Sequence, residues 1–451
     1  MIVGLLLSAG ILFNLSGCSG KPTYSISGTV TSGGPPLSGV TMNLTGGSSG
    51  IATTDANGNY SFSDVPIGTY TLTPSLTGYA FAPPNRPVFL DGIDAVGFNF
   101  SVINTGRTAT ATHTIHLRND DTLWAWGNNA NGQLGNGTTT NSSVPIKLNG
   151  LSGVTTLATG NDYTLALKND GTVWAWGGNA FGQLGDGSTT QRTTPLQVSG
   201  LTGVTGIAAG YDHAIALVND GTVWTWGNNS NGQLGDGTTT QRNSPAQVTT
   251  VAGITAVAAG KGFTMVLTNV GTVWTWGING NGQLGNATAI DSYIAVQVYG
   301  LAGVRAISAG NSHAFVLIYD GTVRTWGANA LGQLGNGTIT DSIIPVKLGG
   351  VSNIIAVAAG YGHSVALNSD GTVWAWGDNA FGQLGNGTRT QSMSPVQTSG
   401  LSGAIGIAAG NGDTVAIQVD GTLWAWGSNL YGQLGDGTST DRLLPVRVQF
   451  P

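Results

Sequence analysis

The chain of 451 residues is long enough for two or more domains with full hydrophobic cores. Glycine is abundant, at 74 residues, and all 21 acidic residues are aspartate, so the composition disfavours helices and indicates an all-β protein with many tight turns. The net charge of −6, with 15 scattered Lys and Arg residues, argues against a nucleic-acid partner, and the single cysteine, Cys18, excludes an internal disulfide or a cysteine-based zinc site.

The first residues predict an export signal. Ile2–Leu15 is a mostly apolar run, shorter than the roughly 20 residues needed to cross a bilayer, and small residues lead from it to Cys18. The sequence Leu15-Ser16-Gly17-Cys18 resembles the bacterial lipobox, which implies a signal peptide over residues 1–17 and a lipid on Cys18, at the start of a tether over residues 18–22. No Lys or Arg precedes the apolar run, which suggests a start codon further upstream. A chance cysteine behind an apolar stretch is the alternative.

Residues 23–103 predict a small β-sandwich, because short alternating apolar runs such as Tyr24–Val30 and Val40–Leu44 are separated by clusters of turn-forming residues. The sequences Thr54–Phe62 and Val65–Tyr70 resemble the carboxypeptidase regulatory-like domain, a prealbumin-like or carbohydrate-binding-like sandwich. The resemblance covers nearly all of residues 23–103 and implies a stalk or accessory module rather than a catalyst.

Two local patterns in this segment have a chemical alternative. Asp55, Asn57 and Asn59 are similar to a calcium loop, but Gly58 comes too early and no Glu follows, so a hairpin turn is favoured. Gly46–Gly50 matches the G-x-S-x-G nucleophile motif, which lies between a strand and a helix. No helical pattern follows, so a flexible loop is favoured.

From residue 104 to residue 451 a 50-residue unit recurs seven times, which indicates a repeat architecture. One tryptophan keeps the period throughout: Trp126, Trp176, Trp226, Trp276, Trp326, Trp376 and Trp426. In the second copy, strands are predicted at Val154–Gly160, Tyr163–Lys168 and Thr172–Trp176, and a fourth at Pro195–Val198 follows a long glycine-rich loop. Four short antiparallel strands per unit, repeated seven times, predict a seven-bladed β-propeller.

The tryptophans are interpreted as structural. Trp174 and Trp176 are two residues apart, so they lie on the same face of the third strand and are expected to fill the wedge between neighbouring blades. Ala158 and Gly160 are small enough for an innermost strand, where the blades crowd the axis.

The repeated pattern Gly-Thr-Val-Trp-Ala-Trp-Gly is followed by Asn, Gly-Gln-Leu-Gly-Asp-Gly, Pro-x-x-Val and Ala-Ala-Gly-x-x-His. It resembles the regulator of chromosome condensation repeat over residues 104–451. The family includes a nuclear exchange factor for a small GTPase, plant receptor-like proteins and secreted bacterial β-lactamase inhibitors. The resemblance implies the propeller, but fold does not choose among these functions.

Some copies depart from the repeat. The inner strand of the first copy is degraded, because three residues replace Val154, Leu157 and Gly160 of the second copy: Asn104, Arg107 and Thr110. Single replacements in later copies are Ala287 for Gly, Ala295 for Pro and Arg324 for Trp.

The chain ends in a lone outer strand, Pro445–Phe450. We expect it to pair with the first blade and thereby close the ring.

The residue that opens the second strand differs between copies: His113, Tyr163, His213, Phe263, His313, His363 and Asp413. Four histidines in a quasi-symmetric ring suggest a metal, but equivalent atoms in neighbouring blades are too far apart to share an ion at about 2.1 Å unless the side chains converge. A histidine bonded to a loop carbonyl is the favoured alternative. Because no nucleophile–base set, phosphate loop or pair of carboxylates in an apolar pocket is evident, we expect no metal, no cofactor and no enzymatic activity.

A binding face is predicted instead. In a propeller the connections between first and second strands and between third and fourth strands emerge on one face, which gathers the variable positions of the copies. One loop contributes Tyr163, Tyr211, Phe263 and Tyr361, and the other contributes Phe181, Leu331, Phe381 and Tyr431. Exposed aromatic residues on an ordered rim are typical anchors for protein or glycan partners. For the Phe181 series, packing against its own loop is an equal alternative.

The sequence therefore predicts a monomeric, lipid-anchored, non-catalytic binding protein of the bacterial outer membrane or cell surface, whose propeller engages a protein or a glycan. An enzyme inhibitor, as among the β-lactamase inhibitors, is the alternative. Guanine-nucleotide exchange is less favoured, because Cys18 indicates export and seven uninterrupted copies leave no place for the exchange factor's wedge insertion.

Overall fold

The computed structural model describes residues 23–31, 36–75, 80–82, 85–103, 108–118, 120–418 and 420–451. The predicted signal peptide, Cys18 and the tether lie outside these residues. Contacts divide the chain near residue 103 into two compact units. Every regular element in the described ranges is a strand, so these ranges hold no helix of the length and apolarity that a membrane crossing requires.

The first unit is a β-sandwich, as predicted. It has two four-stranded sheets, one in the order β4-β1-β8-β6 and the other in the order β3-β2-β5-β7. Alternate residues such as Ile26, Met42 and Leu72 are fully buried and form the core. The strands are β1 (Thr23–Thr31), β2 (Thr41–Gly46), β3 (Gly50–Thr53), β4 (Asn59–Pro66), β5 (Gly68–Ser75), β6 (Ala80–Ala82), β7 (Arg86–Leu90) and β8 (Phe100–Ile103).

The calcium-loop-like and nucleophile-like patterns in the sandwich adopt the structures that the sequence favours, a turn and a loop. Asp55 Oδ1 accepts hydrogen bonds from the backbone N–H groups of Asn57 and Asn59, each at 2.8 Å, so these residues form a turn before β4. The loop that contains Ser48 connects β2 to β3, which pair antiparallel. A strand rather than a helix follows, so the loop is not a nucleophile elbow.

The second unit consists of seven four-stranded antiparallel sheets, each formed by four consecutive strands. We call these sheets blades 1 to 7 in chain order. Blades 1 to 3 comprise β9 (Thr108–Thr110), β10 (His113–Leu117), β11 (Leu123–Gly127), β12 (Ser142–Leu148); β13 (Val154–Thr159), β14 (Tyr163–Lys168), β15 (Val173–Gly177), β16 (Arg192–Gln197); and β17 (Val204–Ala209), β18 (His213–Val218), β19 (Val223–Gly227), β20 (Arg242–Val248).

Blades 4 to 7 repeat the arrangement with nearly the same bounds. They comprise β21 (Ile254–Ala259), β22 (Phe263–Thr268), β23 (Val273–Gly277), β24 (Ser292–Gln297); β25 (Val304–Ala309), β26 (His313–Ile318), β27 (Val323–Gly327), β28 (Ser342–Lys347); β29 (Ile354–Ala359), β30 (His363–Asn368), β31 (Val373–Gly377), β32 (Ser392–Gln397); and β33 (Ala404–Ala409), β34 (Asp413–Gln418), β35 (Leu423–Gly427), β36 (Arg442–Arg447).

The first strands line the axis, as predicted for Ala158 and Gly160, and each contacts the first strand of the next blade. The fourth strand begins earlier than predicted, at Arg192 rather than Pro195. Arg192 pairs with Gly177 across a register shift, and Gly177 has a φ of +106°, so a bulge extends the pairing beyond the proline.

The tryptophan pair packs between blades, as predicted. Trp176 is fully buried among residues of blade 1, and its Nε1–H donates to the carbonyl oxygen of Gln133 in that blade at 2.9 Å. Trp174 is half-buried against the same cluster. The equivalent indole-to-glutamine bond recurs at all seven joints, so these residues hold the ring together.

The predicted ring closure by the last strand is wrong. β36 pairs with β35 of its own blade, with Arg447 opposite Trp424. The four strands of blade 1 all come from residues 108–148, so no strand from the C-terminus belongs to its sheet. Side chains close the ring instead: the Trp126 indole donates to the Gln433 carbonyl at 2.8 Å, and the Phe450 ring lies edge-on to Trp126 at 5.9 Å.

The alignment of the first copy also needs correction. Thr110 pairs with Thr114 as Thr159 pairs with Thr164, so Ala111 rather than Thr110 takes the place of Gly160. The loop before His113 is therefore one residue shorter than in blade 2. Asn104 and Arg107 lie outside the described residues.

Candidate functional site

Two sets of connections form one face of the propeller. The inner loops join the first and second strands, and the outer loops join the third and fourth strands. They meet directly, because the N–H of Gly178 in an outer loop donates to the carbonyl of Asp162 in the inner loop of the same blade at 2.8 Å. We call the surface formed by these fourteen loops the loop face.

The outer loops have a rigid base. Buried Asn179 accepts a hydrogen bond from the Leu184 N–H at 2.9 Å and donates to the Thr190 carbonyl at 3.0 Å, so its side chain ties both ends of the loop together. Gln183 Oε1 accepts the Phe181 N–H at 2.9 Å. Equivalent Asn and Gln residues are buried in all seven blades. The variable residue at the place of Phe181 therefore projects from a fixed backbone.

The Phe181 series lies at the surface of the loop face. The exposed fractions are 40% for Phe181, 42% for Phe381 and 37% for Tyr431, and Leu331 is half-buried. Leu331 and Phe381 reach the inner loop of the next blade, because a Cβ on Gly362 would lie 2.8 Å from Leu331 Cδ1 and a Cβ on Gly412 would lie 3.2 Å from the Phe381 ring. These two side chains do not pack only against their own loops.

Two members of the Tyr163 series are not on the loop face. Tyr163 and Phe263 are fully buried, and the Tyr163 hydroxyl donates to the carbonyl of His213 in the next blade. The prediction that these two residues contact a partner is wrong. Each opens the second strand and points between blades, whereas Tyr211 and Tyr361 stand two places earlier in the repeat, in the inner loop.

The inner loops surround the mouth of the axial cavity, which has a volume of about 250 Å³. In blades 2 to 7 the second residue of the inner loop lines this mouth: Asn161, Tyr211, Lys261, Asn311, Tyr361 and Asn411. The Lys261 ammonium lies 5.2 Å from the centre of the Tyr211 ring, a cation–π contact, and Asn411 Nδ2 donates to Asn161 Oδ1 at 3.2 Å. The mouth is therefore polar and ordered by its own contacts.

Two carboxylates stand beside the mouth. Asp162 accepts a hydrogen bond from Asn131 at 3.2 Å, and Asp212 accepts one from Asn228 at 2.8 Å. Burial raises the pKa of both carboxyl groups above the ordinary value. Burial also raises the pKa of the nearby Tyr211 hydroxyl. Blades 2 to 4 thus present polar groups around the mouth, and the exposed Phe181 ring of blade 2 lies among them on the loop face.

The opposite part of the loop face is apolar. In blades 5 to 7 it carries one half-buried and four exposed large side chains, which we call the apolar arc: Leu331, which is half-buried, and Tyr361, Phe381, Leu430 and Tyr431. Tyr361 is 44% exposed and Leu430 is 69% exposed. Blades 1, 3 and 4 have Asn131, Asn231 and Asn281 where blades 5 to 7 have Leu331, Phe381 and Tyr431. The arc is contiguous along the ring, because its members lie on three consecutive blades.

Four histidines that open second strands join neighbouring blades: His113, His213, His313 and His363. His213 Nε2 lies 3.0 Å from Thr264 Oγ1, and that hydroxyl donates to the Gln233 carbonyl at 2.9 Å, so the network assigns the proton to Nε2. Gly210 leaves room for the imidazole, since a Cβ there would lie 2.2 Å from its Cε1. The partner is thus a hydroxyl of the next blade rather than the loop carbonyl expected from the sequence.

Burial keeps these imidazoles neutral. It lowers the pKa of His113, His213 and His313 to about 3, and that of His363 to about 4. Over the described ranges, no three side chains of the kinds that bind metals come together. Their hydrogen bonds to hydroxyl groups of the next blade assign these histidines to the joints between blades.

Several residues of the loop face escaped the sequence analysis. Lys261, Asn161 and Asn411 line the mouth, and Leu430 belongs to the apolar arc. The signal was present, because the residue after Ala-Gly or Thr-Gly varies from copy to copy: Asn161, Tyr211, Lys261, Asn311, Tyr361 and Asn411. Of these variable residues, the sequence predicts only the aromatic ones, Tyr211 and Tyr361, as part of the binding face.

The architecture defines a closed seven-bladed propeller, preceded in the sequence by a β-sandwich. Residues 240–451 match the RCC1-like domain, and residues 120–167 and 170–217 match the regulator of chromosome condensation (RCC1) repeat. Residues 25–102 match the carboxypeptidase regulatory-like domain. The protein therefore belongs to the RCC1 repeat family, and a carboxypeptidase regulatory-like domain precedes its RCC1 propeller in the sequence.

Solved structures of RCC1 propellers are similar to this chain. Prp20p from Saccharomyces cerevisiae, described with its binding to Gsp1p and histones, is 25% identical with a TM-score of 0.66, over 72% of this chain and 85% of its own. Human WBSCR16 is 25% identical with a TM-score of 0.68, over 73% of this chain and 94% of its own.

One curated relative matches a short segment. Chitinase ChiA of Flavobacterium johnsoniae is 40% identical over 65 residues, which make up 14% of this chain. The match spans 4% of the chitinase's length.

Proposed function

We propose that the propeller is a non-catalytic module that binds a protein through its loop face. The observation that carries the proposal is the apolar arc, which exposes large side chains on rigid loops of three consecutive blades. Exposed apolar and aromatic residues on an ordered backbone lose little conformational entropy on binding, so they are effective anchors at protein interfaces. The fold itself is compatible with protein binding.

The chemistry of the face favours a protein over a glycan. Leu331, Phe381 and Leu430 offer apolar surface without hydrogen-bonding groups, whereas a sugar presents many hydroxyls that need partners. The polar part around Lys261 and Asp212 provides the hydrogen-bonding rim of such an interface. Protein binding is also what the description of Prp20p states for that protein.

The proposal includes export and anchoring by a lipid on Cys18, which rests on the lipobox-like sequence of residues 15–18. Growth with a radiolabelled fatty acid tests this part separately. We expect label in the wild-type protein and none in Cys18→Ser. Equal labelling of the two proteins would contradict the anchor.

Site-specific photo-cross-linking in cells tests the binding face. A benzophenone amino acid replaces Phe381 in the apolar arc or, as the matched control, Tyr319. Tyr319 is 77% exposed in the turn between second and third strands, at the opposite end of its blade. We expect one defined protein adduct from position 381 and none from position 319. Equal adducts from both positions, or an adduct to glycan alone, would contradict the proposal.

A further inference from the structure

The fourth strand of each blade is the outer edge of its sheet. Its outward N–H and C=O groups have no strand beside them within the sheet, so an unprotected edge can pair with another chain. Proline and charged residues are the usual protection, because proline removes an N–H and a charge resists burial. Six of the seven fourth strands contain a proline at the same place: Pro145, Pro195, Pro245, Pro345, Pro395 and Pro445.

Strand β24 is the exception in blade 4. It has Ala295 where the other six have proline, and none of its residues from Ser292 to Gln297 is charged. Strand β32 also lacks a charge but keeps Pro395, and each remaining fourth strand has both a proline and a Lys or Arg. Both protections are therefore missing together in β24 alone among these seven strands.

The register shows which backbone groups the missing proline leaves available. Val298 N–H donates to Val273 O at 3.0 Å, and Val296 lies opposite Thr275. Because N–H directions alternate along an antiparallel strand, Val296 N–H also faces β23, and the N–H groups of Ala295 and Gln297 point outward. A proline in place of Ala295 would remove one of these two outward donors.

Exposed apolar side chains surround this edge. Tyr293 is 44% exposed and Ile294 is 50% exposed on β24 itself, and Ile343 and Ile344 are exposed on the neighbouring β28. At the corresponding places blades 2 and 3 have only polar residues: Thr193, Thr194, Asn243 and Ser244. The same part of the ring thus combines an open edge with apolar surface to bury.

We propose that β24 pairs antiparallel with β24 of a second copy of this chain, joining two blades into one eight-stranded sheet. The strand is uncharged along its length, so two copies meet without repulsion between charges on the paired strands. A two-fold axis at Val296 sets Ala295 of each copy opposite Gln297 of the other, and the pairs exchange four backbone hydrogen bonds. This proposed dimer differs from the monomer expected from the sequence, and it leaves the loop face independent, because the edge lies on the outer rim.

Sedimentation of the full chain tests the dimer. All proteins carry Cys18→Ser, so that no lipid drives association. We expect a concentration-dependent dimer, and we expect Ala295→Pro and Tyr293→Lys each to weaken it at least about tenfold. Equal melting temperatures at a concentration where all the proteins are monomeric are the folding control, since the same proline is accommodated in six other blades. A wild-type protein that stays monomeric at all concentrations, or a dimer insensitive to both substitutions, would overturn the proposal.

A disulfide tests the register. In the Cys18→Ser background, Val296→Cys places two thiols across the proposed axis, and Val396→Cys on β32 is the matched control because Pro395 protects that edge. Mild oxidation is expected to link Val296→Cys into a covalent dimer and to leave Val396→Cys monomeric. Equal cross-linking of the two variants would overturn the proposed pairing.

Discussion

Asp413 of blade 7 accepts a hydrogen bond from the Thr110 hydroxyl of blade 1, across the joint that closes the ring. The carboxyl group is fully buried, and its Oδ1 has no hydrogen-bond partner. Burial raises the pKa of Asp413 to about 7. The propeller ring therefore closes around a carboxyl group that is mostly protonated below about pH 7.

The first prediction concerns the pH dependence of this joint. The folded pKa of Asp413 lies above the unfolded value of about 3.9, so its contribution to stability is complete below pH 4 and is lost as the pH rises through about 7. Asp413→Asn resembles the protonated form and removes the loss. The free energy of unfolding of Asp413→Asn relative to wild type should rise by up to about 4 kcal/mol between pH 4 and pH 8. Denaturant titrations at several pH values measure it, and a constant difference would refute the role of this carboxyl group.

The buried histidines predict the opposite dependence. The folded pKa of His213, about 3, lies below the unfolded value of about 6.5, so the stability that its neutral imidazole contributes is present above pH 6.5 and is lost as the pH falls towards 3. His213→Tyr introduces the residue that the chain itself has at Tyr163. We expect the variant to gain about 2–3 kcal/mol relative to wild type between pH 6.5 and pH 4.5. Parallel acid-unfolding curves of the two proteins would show that His213 is not the titrating group.

The tryptophan pair predicts unequal costs of substitution. Trp376 is fully buried and donates to the Gln333 carbonyl at 2.9 Å, so Trp376→Ala should lower the free energy of unfolding by about 3–5 kcal/mol. Trp374 is half-buried, and blade 5 has Arg324 at its place. Trp374→Arg should therefore cost less than about 1 kcal/mol. Chemical denaturation compares the two, and similar losses would contradict the assignment of Trp376 to the wedge.

The fourth prediction concerns Phe450, which joins the last blade of the propeller to the first. Its ring lies edge-on to Trp124 at 5.5 Å and to Trp126 at 5.9 Å, and the Arg118 guanidinium lies 4.9 Å from its centre. Phe450→Ala should destabilise the propeller by about 2 kcal/mol through lost packing. Leu444→Ala, at an exposed place on the last strand, is the control and should change stability little. Equal melting temperatures of the two variants would contradict a role of Phe450 in joining the first and last blades of the propeller.

The sequence period was enough to predict the blades. The 50-residue spacing of tryptophans reflects one structural unit per blade, and alternation along Tyr163–Lys168 placed the second strand with the bounds that the structure has. The sandwich followed from the same alternation. Such local patterns are informative because side-chain direction along a strand has a fixed period of two.

The errors arose where contacts between distant residues decide the outcome. Tyr163 and Tyr211 are both tyrosines near the end of an inner strand, and only the three-dimensional packing shows that one points between blades and the other to the axial mouth. From the sequence alone, the last strand is predicted to pair with blade 1. A linear sequence does not show whether this strand pairs with β35 of its own blade or with the open edge of another blade. The joint between Asp413 and Thr110 joins residues 303 positions apart and has no local signal.

The affinity of the purified partner for two double variants tests the central claim most directly. The partner is the protein cross-linked through position 381, and binding is measured by calorimetry. Tyr361→Ala with Phe381→Ala removes the centre of the apolar arc, and we expect a loss of at least about 3 kcal/mol, near a hundredfold in Kd, with an unchanged melting temperature. Tyr319→Ala with Val270→Ala, at exposed turns between second and third strands, should leave the Kd unchanged. An unchanged Kd for the arc variant would contradict the assignment of binding to the loop face.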